Sequence, residues 1–143
     1  MCYSAMVLAD LRKLERTFHA AIDVAAYDAL VDMRMQEGRV RIPKAMDDAL
    51  VALDGPAAAK VRAWRDRQAG DLIRQIGEQE TRLHNAREKL ATRETKAALN
   101  DARIATNKIA QFSSRLQDLD RDEPKPRDTR IWPGDYCSVA LVD

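Results

Sequence analysis

The sequence predicts a mainly α protein: short N-terminal helices, a long antiparallel helical hairpin, and a closing β-strand. Three observations predict it. Of 143 residues, 23 are alanine, which favours helix and buries little area. Aromatics make up only 5%, so an elongated, helix-rich shape is expected over a large compact core. Two heptad seams in the middle of the chain also fit one antiparallel register.

The elements follow in order. Leu11, Leu14 and Phe18 share one helical face, so Asp10–Phe18 reads as a short helix. Asp23 is a natural N-cap for a helix over Val24–Glu37, with Tyr27, Leu30, Val31 and Arg34 following and Gly38 as its stop. Arg39–Ile42 precedes Pro43 and is expected to be extended. A third helix over Lys44–Leu53 ends at Asp54-Gly55-Pro56. These elements form a first segment, 1–55.

The second segment, 56–119, is the hairpin. Ala69, Leu72, Ile76, Gln79, Leu83, Ala86 and Leu90 alternate steps of 3 and 4. So do Ala98, Ala102, Ala105, Ile109, Phe112, Leu116 and Leu119. Paired antiparallel from Leu90–Ala98 to Ala69–Leu119, every pair of numbers adds to 188, with a turn centred near residue 94. An arm from Pro56 to Ala91 would be ~50 Å long. Gly70 and Gly77, seven apart, either admit another backbone or are simply tolerated. Gln79 is polar within the seam and is a candidate for fixing register. Residues 120–128, with two prolines, read as a linker, and 129–143 as a turn and first core strand. A lone strand near Val139–Val142 has an open edge, which predicts association.

Charge excludes some functions. There are 24 basic and 23 acidic residues, formally +1, so bulk electrostatic binding is excluded but a local patch is not. Residues 56–127 carry 16 basic against 11 acidic residues, the only segment with a positive excess. No apolar run approaches a membrane span, so a cytoplasmic protein with no membrane partner is expected. Cys2 and Cys137 are too few for a disulfide framework, and His19 and His84 have no metal-ligand spacing. No cofactor or metal is expected. Phosphate-loop, dinucleotide and serine-hydrolase motifs are absent.

Cys2 carries the sharpest chemistry. Removal of Met1 would give it a free α-amine and a thiol on neighbouring carbons. That 1,2-aminothiol condenses with an aldehyde to a five-membered thiazolidine, which no internal cysteine can do. Both groups titrate near pH 8, so reactive forms are accessible at neutrality.

Met1-Cys2-Tyr3-Ser4-Ala5, with Ala9–Leu14 and Phe18, resembles the N-terminus of the SOS response-associated peptidase (SRAP) family, in its bacterial branch with a helical insertion. Val40–Met46, Arg103–Ile109 and the Arg130-Ile131-Trp132-Pro133-Gly134 and Tyr136 segment resemble that branch too. The resemblance implies an α+β core of which this chain holds the N-terminal part. It implies binding of single-stranded DNA containing abasic sites, and a thiazolidine DNA–protein cross-link through Cys2, with no cofactor. Such proteins are peptidase-, hydrolase- or lyase-like, with DNA-damage and SOS-response roles. The family's later Asn-Ala-Arg segment, strand-end glutamate and histidine have no counterpart here, and His19 and His84 lie in other segments. Whether the chain acts as an enzyme is therefore left open. A truncated gene product, an excised domain or a split half whose partner is the C-terminal half would each fit.

Trp132 and Arg130, in the family-like turn, are the DNA-binding candidates. Trp64 is expected against the helical base of the hairpin, and Cys137 as a small buried strand residue. Arg62, Arg65, Arg67, Arg74, Arg82, Arg87, Arg93, Lys96, Arg103 and Lys108 could track phosphates, though the interspersed carboxylates favour a solvated coiled-coil face. The alternative function is a helical-hairpin interaction module, binding a protein partner with Cys2 idle.

Overall fold

A computed structural model describes residues 5–6, 11–19 and 23–137 of the chain. Cys2 and the expected strand near Val139–Val142 lie outside the described residues. The protein is mainly helical, as its composition predicts, and divides into two units. The first comprises residues 1–64 and 123–143, the second 65–122. The division falls within a helix, rather than at the Gly55-Pro56 break.

In the first unit, β1 (Ala5–Met6) precedes α1 (Leu11–Phe18), α2 (Val24–Glu37) and α3 (Lys44–Leu53). The Asp23 carboxylate accepts from the Ala26 N–H at 2.9 Å and starts α2. Gly38, at φ +66°, ends it in the left-handed conformation and donates its N–H to the Arg34 carbonyl. Asp54 and Gly55 turn the chain with positive φ. Pro56 then opens α4 (Pro56–Thr92), where its missing N–H costs nothing.

The core of this unit joins Tyr27 and Val31 of α2, Ala45, Met46 and Leu50 of α3, and Val61 of α4. Ile131 and Cys137 pack against it, partly buried. An ion pair lies among these apolar groups. The Arg34 guanidinium donates to both Asp47 carboxylate oxygens, at 2.9 and 3.0 Å, with Arg34 only 2% exposed. Its planar face lies 3.9 Å from the Trp64 ring centroid, a cation–π contact. Trp64 is thus anchored against the helical base, as expected. A buried carboxylate–guanidinium pair survives desolvation only with such bidentate geometry.

The second unit holds the rest of α4 and α5 (Lys96–Leu119), which pack as a hairpin. Thr95 caps α5 by accepting from the Ala98 N–H at 3.2 Å. All fourteen seam residues are buried or half-buried, with Ala98, Ala105 and Phe112 fully so on α5. The interhelical ion pair supports the register. With seam layers adding to 188, heptad g positions meet where their numbers add to 183. Arg82 and Asp101 are such a pair, and their side chains are bonded.

The expected linker is partly ordered. Pro126–Thr129 forms a single 3₁₀ turn, and the Asp128 carboxylate accepts from the Lys125 N–H at 2.7 Å. Then β2 (Arg130–Ile131) pairs antiparallel with β1, Ala5 opposite Ile131 and Met6 opposite Arg130. The C-terminal strand was expected after the Trp-Pro-Gly turn; the described strand comes just before it and has a partner. Ladder bonds between ends so far apart in sequence leave no local signal.

Candidate nucleic-acid interface

The Pro133-Gly134 pair sets the local geometry. Proline fixes φ at the second position of a tight turn, and Gly134 supplies φ +88° at the third, a type II signature. The Asp135 N–H donates to the Trp132 carbonyl at 2.9 Å, closing the turn. In return the Trp132 N–H donates to the Asp135 carboxylate at 2.8 Å.

Arg41, in the extended segment before α3, clamps this turn from outside. Its Nη2 donates to the Pro133 carbonyl at 2.6 Å, and its Nε lies 3.1 Å from Asp135 Oδ1. The Arg41 carbonyl accepts from the Tyr136 N–H at 2.9 Å, within an isolated parallel bridge to Asp135. The Asp135 side chain is only 8% exposed, so its charge is well used. Sequence reasoning missed Arg41 and Asp135. The signal was one basic and one acidic residue, 94 positions apart, with no spacing to connect them.

This scaffold holds two aromatic rings in the open. Trp132 is 48% exposed and Tyr136 47%. Arg130 is exposed beside them, while Ile131 turns inward to the core, the alternation expected of a strand. Both sequence-predicted DNA candidates, Trp132 and Arg130, are therefore surface groups on one short segment, with Tyr136 added. Exposed rings beside guanidinium groups are the elements of a base-stacking, phosphate-binding surface. Cys137 follows directly, half-buried against the core and outside any described strand.

The other candidates are distributed differently. His19 is exposed, and exposed His84 lies 3.4 Å from Glu88. Arg62 meets Asp54, and Arg74 meets Asp71 and Glu78. Lys60, on α4, bridges Asp28 and Asp32 of α2 at 2.7 and 2.6 Å. The hydrogen bonds it donates to those carboxylates hold its ammonium above the usual lysine range. The Tyr27 hydroxyl is buried without a partner, and burial, then the Asp47 charge, pushes its pKa well up. Among the described residues no group of His, Cys, Asp or Glu is arranged to hold a metal ion. No described helix is long and apolar enough to cross a membrane. No family model, curated protein or solved structure matches this chain.

Proposed function

We propose that this chain captures abasic sites in single-stranded DNA through Cys2, as its resemblance to the SRAP family implies. One observation carries the reading. Ala5, three residues after Cys2, is the ladder partner of Ile131, next to the exposed Trp132. Three residues of chain reach at most ~11 Å. A strand stacked on Trp132 and Tyr136 would thus lie near a tethered aminothiol.

The chemistry balances without an added reagent. Once Met1 is removed, the Cys2 amine adds to the C1′ aldehyde of the ring-opened sugar, and loss of one water gives an imine. The thiol then adds across the C=N bond. Its sulfur joins the former aldehyde carbon and its proton goes to nitrogen. The product is a thiazolidine, formed with no change of redox state.

The test is a denaturing gel of the protein with single-stranded DNA carrying one abasic site. Cys2→Ala and a chemically unfolded sample run alongside, and mass spectrometry reports on Met1. A heat-stable band, absent with Cys2→Ala and much weaker from unfolded protein, is the expected result. A band of equal strength from unfolded protein reduces the reading to free aminothiol chemistry. No band from a chain lacking Met1 overturns it and leaves the hairpin as an interaction module.

A further inference from the structure

We propose that one edge of the helical hairpin is a phosphate-tracking surface for intact single-stranded nucleic acid. It extends the reading above to undamaged strands but does not need Cys2. The edge is defined by the Arg82–Asp101 ion pair between α4 and α5. Steps of seven keep a residue on the same edge of a coiled coil. From Arg82 they give Gln75 and Lys89 on α4, and from Asp101 they give Lys108 and Arg115 on α5.

The residues opposite these cations distinguish this edge from an ordinary coiled-coil flank. In the register that joins Arg82 to Asp101, Gln75 faces Lys108 and Gln68 faces Arg115. A flank built only to hold the helices together would place carboxylates at 68 and 75. Glutamine leaves Lys108 and Arg115 uncompensated across the hairpin. Lys89 would meet Glu94, which lies beyond the end of α4. Among the described residues Lys89, Lys108 and Arg115 make no ion pair; Lys108 only overlies Phe112. The edge thus carries four cations against one carboxylate, net +3. The opposite edge has Asp66, Glu80 and Arg87 among Ile73, Leu99, Thr106 and Ser113, net −1. From the level of Gln68 to Lys89 the charged edge runs ~32 Å at the helical rise.

A second feature favours nucleic acid over an acidic peptide. Ile104, Asn107, Lys108 and Gln111 line a shallow depression on α5. It offers a base an apolar floor and two side-chain amides beside a phosphate-binding ammonium.

The experiment uses full-length Cys2→Ala protein and a fluorescent oligothymidylate with no abasic site, so failure here leaves the cross-linking reading intact. Anisotropy gives affinity across a salt series. Each phosphate contact to a single strand contributes about −0.7 to the slope of log affinity against log salt. Replacing Lys89, Lys108 and Arg115 together by glutamine is expected to weaken binding and flatten the slope by about 2. Asp101→Asn, which frees Arg82, is expected to tighten binding and steepen the slope, a gain that no misfolded variant would show. Arg87→Gln on the opposite edge should leave the slope unchanged. No binding in low salt, an unaltered slope in the triple variant, or equal displacement by polyglutamate would each overturn the proposal.

Discussion

At Gly134 the backbone holds φ +88°, and a Cβ there would lie 3.1 Å from Arg41 Nη2. Any other L residue pays for the left-handed conformation, about 1–2 kcal/mol. The Arg41 clamp must also shift. Gly134→Ala is therefore expected to destabilise the first unit by about that amount and to weaken single-stranded DNA binding through Trp132. Thermal melting and anisotropy together check this; an unchanged melting temperature would contradict the clamp. Arg34 and Asp47 pose the opposite case, a buried charge pair. Asp47→Ala strands a guanidinium among apolar neighbours and should cost about 3–5 kcal/mol in urea unfolding. Replacing Arg34 by Met and Asp47 by Leu together should recover most of that loss, because neither charge is then buried alone. If the double variant is no better than Asp47→Ala alone, the pair itself supplies net stability.

Among the elements, α4 carries two residues that lower the hairpin's own stability. Gly70 and Gly77 are helical, with nothing within 4 Å of the position a Cβ would take. The close approach that the sequence allowed is thus not used within the described residues. Gly70→Ala should stabilise by up to ~1 kcal/mol, since alanine restricts the unfolded chain and fits the helix. Gln79 occupies the seam with its Oε1 buried and without a hydrogen-bond partner. Gln79→Leu should add about 1–2 kcal/mol by removing that desolvated acceptor and filling the layer opposite Ile109. Denaturant midpoints test both, and size-exclusion chromatography tests register. A Gln79→Leu chain that gains stability yet forms mixed oligomers would show that Gln79 is retained for specificity.

Across the whole molecule, what was legible in the sequence is what repeats. The helix over Val24–Glu37 was readable because Asp23 and Gly38 punctuate it, and the hairpin because seven seam positions recur on each arm. The β1–β2 ladder, the Arg41 clamp and the Arg34–Asp47 pair were not readable. Each joins single residues brought together by folding, with no periodicity at either partner. Two groups whose surroundings are made only by folding also set the response to alkali. The Tyr27 hydroxyl is buried without a partner, so the folded chain keeps its proton well above the ordinary tyrosine value of about 10. Lys60, bonded to Asp28 and Asp32, likewise keeps its proton beyond the usual lysine range. In both cases the unfolded chain binds fewer protons once pH passes about 10, so stability must fall as pH rises. Below that pH both contributions are fully present. Tyrosine alone can contribute a slope of up to about 1.4 kcal/mol per pH unit. Urea unfolding between pH 7 and 11 should therefore show a loss confined to the alkaline end. Tyr27→Phe is expected to be neutral or slightly stabilising at pH 7, because the lost hydroxyl has no partner. Above pH 10 it should flatten the decline, leaving the smaller loss that Lys60 imposes. Parallel curves for the two proteins would mean that the Tyr27 hydroxyl reaches solvent when it ionises, and the alkaline loss would then belong to Lys60 and its two carboxylates.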